Sequence, residues 1–177
     1  MKDWQNFYIQ KMGTEVSGTP YPVFESVNTW GVWCKDIPFK LYERVKAPAM
    51  RSWNDEHGDD EYVPSTGLYM ESYEIEITFG CKILTSLFAD EETAYVDNVR
   101  NAVKAFLDYL RASGMMKIYS TWTRTGRQYV RLSEFPETVK WVPGSTGNTE
   151  FIIFPVKFKV CDPVTEVTAA EMGITGN

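Results

Sequence analysis

The sequence predicts an α+β fold, a mainly antiparallel β-sandwich or partial barrel with one amphipathic α-helix packed on it. Two kinds of pattern carry this prediction. Two segments alternate apolar and polar residues with the period of a half-buried strand, and one segment places apolar residues at helical spacing. A chain of 177 residues fits a single domain, 1–177, and we expect its core at about 20–167.

Short strands and long loops are expected in the first part of the chain, because glycine and proline punctuate it. The first strand is expected at Val23–Trp33, which is rich in β-branched and aromatic residues. Residues 51–67 are acidic and rich in turn-forming residues. We therefore expect a long exposed loop or extended hairpin at 51–67.

The central strand and the helix have the clearest patterns. In the segment Tyr69–Phe79, apolar residues recur mostly at every second position, which predicts a strand with one buried face. Within Thr93–Ala112, apolar residues recur at spacings of four, three and four, namely Val99, Val103, Phe106 and Leu110. Ser113-Gly114 follows as a fitting helix end, so a helix across one sheet face is predicted.

The last third of the chain is predicted to be β-structure. Met115–Thr123 and Gln128–Leu132 are β-prone and separated by Arg124–Arg127, which predicts a tight hairpin. Phe151–Val160 alternates again, and Pro155 within it lacks an N–H, so this strand is expected at an edge or at a bulge. Residues 168–177 are weakly patterned and expected to be loose.

Composition limits the partners of the protein. Its 24 acidic residues against 18 basic ones give a net charge of −6, which argues against specific nucleic-acid binding. The three cysteines are far apart and form no CxxC pair, so we expect reduced, mostly buried thiols. No apolar run is long enough for a membrane span and no secretory signal leads the chain, so a soluble protein made in a cytoplasm is expected.

The acidic segment Asp55–Glu61 is the first place to look for a metal, since closely spaced carboxylates suit Ca²⁺. Its spacing does not fit an EF-hand loop, because Gly58 falls between the alternating candidates, and a solvated loop is favoured. His57, the only histidine, lies in this loop without a nearby nucleophile in sequence. We therefore predict no catalytic residue, no metal and no cofactor, and a protein that is not an enzyme.

Aromatic and basic residues supply the candidate interface. Of the six tryptophans, Trp30, Trp33 and Trp122 are expected to be largely buried, whereas Trp53 stands at the foot of the acidic loop as a possible anchor. Arg124 and Arg127 flank the hairpin turn and are expected to be solvated. The candidate interface residues are Trp53, Asp55, Glu56, His57, Asp59, Asp60, Glu61, Arg124 and Arg127.

Four segments together resemble a known group of proteins. They are WNDEHGDDEYVP (Trp53–Pro64), YEIEITFGCK (Tyr73–Lys82), NAVKAFLDYLRASGMMKIYSTWTRTGRQYVRL (Asn101–Leu132) and FKVCDPVTEV (Phe158–Val167). In that order they resemble structural proteins from the tail gene region of tailed phages and prophages. They resemble more loosely the N-terminal domain of distal tail proteins, a β-sandwich with one helix that closes near an Asp-Pro step like Asp162-Pro163. The likeness covers roughly residues 20–167.

The resemblance implies a structural virion protein that forms a ring in the tail tube or baseplate by self-association. Its expected partners are sister copies of itself and other phage tail proteins. Such rings are usually hexameric, and six copies would carry six times −6, or −36. A negative lumen would let DNA pass without sticking. The expected location is the virion, assembled in the cytoplasm of the bacterial host. The likeness does not include the second, carbohydrate-binding-like domain that some distal tail proteins carry.

Two alternatives stay open. A tail terminator or head-tail joining protein shares the sheet-plus-helix build and also forms rings, and the sequence does not choose between these positions. A carbohydrate-binding β-sandwich module is the alternative of another class, and it would present two or three exposed, coplanar tryptophans on one sheet face.

Overall fold

The computed structural model describes residues 4–52, 54, 57–82, 92–142 and 151–174, and only the backbone of residues 92–96 and 151. The strands within these ranges are β1 (Phe7–Lys11), β2 (Val23–Glu25), β3 (Val32–Cys34), β4 (Ala49–Ser52), β5 (Asp59–Tyr62), β6 (Tyr73–Cys81), β7 (Met115–Ser120), β8 (Thr125–Glu134), β9 (Lys140–Val142) and β10 (Phe151–Val160). The helices are α1 (Ser26–Trp30), α2 (Glu92–Ser113) and a 3-10 turn, Ala170–Met172. This is the predicted α+β class.

The main sheet is antiparallel throughout, with strand order β2-β1-β7-β8-β10-β6-β3 and β9 beside β10. It is open, but it curls strongly enough to bring Gln5, just before β1, next to Cys34 in β3. The two residues exchange backbone hydrogen bonds of 2.8 and 2.9 Å. The result is an open, curled sheet, consistent with the β-sandwich or partial barrel that the sequence predicts. β4 and β5 form a separate two-stranded sheet.

The alternating segments are strands as predicted. Along β6 every second residue from Tyr73 is buried, and along β10 the residues Ile152, Phe154, Val156, Phe158 and Val160 are buried. The sequence predicts an edge or a bulge for β10. The edge position is wrong, because β6 pairs along one side of β10 and β8 and β9 along the other, but the pairing with β8 does shift register between Lys157 and Phe158, close to Pro155. Pro155 lies between the stretch that pairs with β9 and the stretch that pairs with β8. Its missing N–H therefore falls at a gap in the ladder on that side.

Helix α2 covers the concave face of the sheet, one residue longer at each end than the predicted span. Its apolar stripe, Val99, Val103, Phe106 and Leu110, is at most 6% exposed. Gly114 follows the helix with φ of 65°, a conformation that few residues other than glycine adopt. Burial of each such side chain stabilises the fold by about 1.5–3 kcal/mol, so this stripe fixes the helix to the sheet.

Aromatic rings fill the space between helix and sheet. The ring of Phe106 lies 5.2 Å from that of Phe79 and 5.4 Å from that of Trp30, measured between centroids. The ring of Trp30 also lies 5.0 Å from the ring of Tyr109, which is on α2 like Phe106. These tilted and edge-on pairs add to the area that the rings bury. The half-buried position of Trp30 in this cluster agrees with the sequence analysis.

The prediction of one strand at Val23–Trp33 is wrong. A helical turn, α1, interrupts it, and Gly31 ends that turn with φ of 63° before the chain enters β3. Ser26 is fully buried and explains the break, since its hydroxyl accepts a hydrogen bond from the Phe7 N–H and donates one to the Asn6 side chain. A tertiary contact of this kind overrides the β-propensity of the segment.

The hairpin of β7 and β8 exists, but its turn lies at residues 121–124 rather than at Arg124–Arg127. Trp122 in this turn is 68% exposed, which corrects the expectation of a buried indole. Beyond the turn, Gln128 and Tyr129 stand opposite the single residue Lys117, and Tyr129 has a φ of 53°. This bulge turns the Tyr129 side chain outward.

The C-terminal segment is packed rather than loose. Val167 and Met172 are at most 3% exposed and form a small second cluster with Tyr119 of β7. The Glu171 carboxylate accepts a hydrogen bond of 2.7 Å from the Thr168 N–H, which caps the 3-10 turn. Residues 168–174 therefore cover part of the second sheet face; residues 175–177 lie outside the described ranges.

Candidate functional site

A hairpin projects from the compact body between β3 and β6, and we call residues 44–71 the arm. Its base is held by backbone hydrogen bonds from the Lys46 N–H to the Tyr69 carbonyl, 2.7 Å, and from the Glu71 N–H to the Arg44 carbonyl, 2.8 Å. Further out, β4 and β5 pair from Ala49–Tyr62 to Ser52–Asp59. The expected extended hairpin is thus present, and it is longer than the predicted 51–67.

The two strands of the arm bury no side chain among the described residues. Every residue of β4 and of β5 is exposed. An isolated two-stranded hairpin is marginally stable at best in water, and three or more strands or a packed face are needed for independent stability. Within the described residues, the pairing of β4 with β5 therefore has no packed apolar face behind it.

Large apolar side chains are concentrated on the arm and at its foot. The exposed fractions are 62% for Met50, 70% for Tyr62, 52% for Val63 and 59% for Tyr69. Exposed single apolar residues are normal, but a group of them on one projection is typical of an interaction surface. Burial of these side chains against another surface would contribute a stabilising free energy of about 25 cal/mol per Å² of apolar area buried.

The structure places the predicted acidic residues on this arm. His57, Asp59, Asp60 and Glu61 are all exposed, the last three within β5. Trp53, Asp55 and Glu56 lie outside the described residues. Among the residues that the structure describes, no three His, Cys, Asp or Glu side chains gather where they could hold a metal ion.

Arg127 lies at the foot of the arm and is only 2% exposed, so the expectation of a solvated residue is wrong. Its guanidinium donates to the carbonyl oxygens of Lys40 and Gly126, each at 3.1 Å, and pairs with the Glu166 carboxylate at 3.2 Å. The ring centroid of Phe39 lies 5.9 Å away. Arg127 therefore ties the chain that enters the arm to β8 and to the C-terminal segment.

A groove of about 430 Å³ opens beside Arg127. Leu41, Tyr42, Leu68 and Val164 line it, and their exposed fractions lie between 46% and 82%. Arg127 and Glu166 supply the charged part of the lining. Leu68 belongs to the arm, whereas Leu41, Tyr42 and Val164 belong to the body, so the groove lies where the arm meets the body.

Sequence reasoning missed the groove. The one signal for it is the apolar pair Leu41-Tyr42 between the charged residues Lys40 and Glu43, a pair with no place in a strand or helix pattern. Arg124, which was grouped with Arg127, lies exposed in the 121–124 turn and is not part of the groove.

The cysteines fit packing better than nucleophilic chemistry. Burial raises the pKa of Cys81 to about 12, and burial, with a smaller effect of the nearby Asp36 charge, raises the pKa of Cys34 further. Both thiols therefore stay protonated at neutral pH, and the thiolate is the reactive form. All three cysteines are free, as expected.

Comparison of the chain with known family models and with curated proteins finds no match. Among the described residues, no helix has the length and apolar character needed to cross a membrane.

Proposed function

We propose that this protein is a structural virion protein of a phage or prophage tail, which forms a ring in the tail tube or baseplate by self-association. One observation carries the proposal: the arm exposes Met50 and Tyr62 on its two strands and Val63 and Tyr69 beyond them, and every residue of both strands is exposed. A projection of this kind gains stability when copies associate. The resemblance of four sequence segments to tail proteins supplies the setting.

The charge of the chain suits that setting. A net charge of −6 on each copy gives an assembled ring a negative field, which repels phosphate and lets DNA move through without binding. The fold also fits, since within the described residues the border strand β2 pairs only with β1 and leaves its other edge for a neighbour. Assembly takes place in the cytoplasm of the bacterial host, and the protein ends in the virion.

Light-scattering mass at a series of concentrations, followed by negative-stain imaging, tests the proposal. We expect a mass that rises with concentration to a fixed multiple of the monomer, and annular particles in the images. A strictly monomeric species at every concentration would contradict self-association. A two-fold dimer that grows no further would contradict the ring.

A carbohydrate-binding module is the second candidate. Trp122 is exposed and has Thr121 and Thr123 beside it, which favours this function, but it lies in the 121–124 turn and not on a sheet face with other tryptophans as this function is expected to require. An exposed indole flanked by hydroxyls is suited to stacking on a sugar. Glycan-array binding that disappears in Trp122→Ala would support this function. The absence of binding to any glycan would leave self-association as the function to test.

A further inference from the structure

A turn and a pocket lie at opposite ends of strand β8. The turn, residues 121–124, comes directly before Thr125, the first residue of β8. The pocket has a volume of about 180 Å³, and Glu134, the last residue of β8, is part of its lining. A strand of this length extends over roughly 30 Å, so the two features are well separated on the molecule.

The turn presents two large exposed side chains. Trp122 is 68% exposed, and Arg124 is exposed as well. Among the described residues, neither side chain has a hydrogen bond, an ion pair or a ring contact. Arg124 also has a φ of 55°, a strained conformation for a residue with a side chain, and such strain is concentrated at functional positions. Both side chains are therefore available to another surface.

We call the pocket the acidic pocket, because its lining carries more negative than positive charge. Lys157 of β10 lies in register between Glu134 of β8 and Glu76 of β6, and its ammonium pairs with the Glu134 carboxylate. The hydrogen bond to Glu134 raises the pKa of Lys157, and the nearby charges of Glu76 and Glu137 raise it further. Three carboxylates against one ammonium leave a net charge of −2 on the lining.

The rest of the lining suits an arginine side chain. Phe135, which is 45% exposed, forms its apolar part together with Pro136 and Pro155. A guanidinium is planar, stacks on an aromatic face and binds carboxylates through several N–H donors. The volume of the acidic pocket is that of roughly six water molecules, which leaves room for a guanidinium and part of its stem.

We propose that the 121–124 turn of one copy docks at the acidic pocket of the next copy, with Arg124 between Glu76 and Glu137 and Trp122 against Phe135. The inference rests on the self-association proposed above and adds a second contact to that of the arm. The turn and the acidic pocket are different surfaces, so the contact repeats from copy to copy and closes when the rotation closes a ring.

Charge complementarity selects a second copy as the occupant. The turn carries the positive charge of Arg124 and no acidic residue, whereas the acidic pocket has a net charge of −2. Contact of turn with turn would place Arg124 against Arg124, and contact of pocket with pocket would place carboxylates against carboxylates. Like charges across an interface are unfavourable, so only the head-to-tail contact joins opposite charges.

Two variants that each reverse one surface test the docking. Arg124→Glu makes the turn acidic, and Glu76→Gln/Glu137→Lys changes the net charge of the lining from −2 to +1. We expect the association constant of each protein alone to fall roughly ten-fold or more. In an equimolar mixture every turn meets an acidic pocket or its reversed form with the opposite charge, so the light-scattering mass should return to that of the wild type. A mixture that stays dissociated would overturn the proposal.

The controls separate docking from folding and from total charge. Lys104→Glu matches the charge change of Arg124→Glu, and Asp97→Lys/Asp108→Asn matches that of the pocket variant. These substitutions lie at exposed positions of α2 and should leave the mass unchanged. Thermal melting shows whether each variant folds, and Glu137→Lys alone takes the place of the pocket variant if the double substitution does not fold.

Trp122→Ala tests the apolar half of the contact. Exposed tryptophans that become buried in an interface contribute strongly to binding, so we expect the association constant to fall roughly five-fold or more. Association of this variant equal to that of the wild type would overturn the placement of Trp122 against Phe135.

The outcomes separate this inference from the proposed function. If the wild-type protein forms oligomers and Arg124→Glu alone keeps the same mass, docking of the turn is wrong and self-association stands. If the wild-type protein is monomeric at every concentration, self-association fails and the docking fails with it.

Discussion

Arg127 is a buried cation that joins three distant parts of the chain. Its guanidinium contacts the Lys40 carbonyl, the Gly126 carbonyl and the Glu166 carboxylate, while its own side chain is 2% exposed. Burial of a charged group is costly unless the group is hydrogen-bonded, so these contacts stabilise the buried guanidinium in this position. Arg127 therefore sets where the arm leaves the body.

We predict that Arg127→Met lowers the free energy of unfolding by about 2–4 kcal/mol, because it leaves the part-buried carbonyl of Lys40 without its donor. Loss of the ion pair with Glu166 costs less, since the Glu166 side chain is 57% exposed and its carboxylate can be solvated by water. Urea unfolding measures the change. The matched control is Arg124→Met, where an exposed side chain is removed and a change within about 0.5 kcal/mol is expected. Equal effects of the two substitutions would contradict the assigned role.

Asp162 gives the fold a dependence on acid. Burial tends to raise its pKa, but hydrogen bonds from the N–H groups of Thr165 and Val164, at 3.0 and 3.1 Å, hold the pKa below the usual value. The ionised form is thus favoured by folding, and its contribution is fully present above the unfolded pKa and lost as the pH falls through the folded one. We predict that Asp162→Asn flattens the loss of stability below about pH 4. Thermal melting from pH 3 to pH 7 measures this, and an unchanged profile would contradict it.

At the scale of elements, the contact between α2 and the sheet determines stability. Phe106 is fully buried and its ring meets the rings of Phe7, Phe79, Trp30 and Phe154. We predict that Phe106→Ala lowers the free energy of unfolding by about 3–5 kcal/mol, through lost burial and the cavity that remains. Lys104→Ala on the exposed face of the same helix is the control and should change it by less than about 0.5 kcal/mol. Urea unfolding measures both.

The elements that could be predicted from the sequence are those whose pattern comes from one large apolar surface. α2, β6 and β10 each turn a single face to the core, so periodicity alone indicated them. Val23–Trp33 failed because the buried hydroxyl of Ser26 holds a helical turn there through contacts with Asn6 and Phe7. Such a contact joins residues some twenty positions apart and leaves no local pattern.

The candidate site could be predicted only in part, for the same reason. The acidic strand of the arm was visible as composition at residues 51–67. The burial of Arg127 was not visible, because its partners Lys40 and Glu166 arrive from distant parts of the chain. The groove is lined by residues from separate parts of the chain, so the sequence alone does not reveal it. The exposed apolar pair Leu41-Tyr42 is its one sequence signal.

At the scale of the whole molecule, the protein combines a well-packed body with an arm that has no core. The body buries its apolar residues between the sheet and α2, as a buried cluster of 22 side chains among the described residues shows. The arm exposes its apolar residues on two strands and in the segment that follows β5. This difference predicts that loss of the arm affects association and leaves the fold intact.

The most direct measurement compares the mass of the wild-type protein with that of a chain whose arm is shortened. Lys46 and Tyr69 are joined by a backbone hydrogen bond, so residues 47–68 can be replaced by Asn-Gly, a sequence that favours a two-residue hairpin turn. We predict a melting temperature within a few degrees of wild type and light-scattering mass of a monomer at concentrations where the wild-type protein is oligomeric. A shortened chain that keeps the subunit number of the wild type would contradict the account.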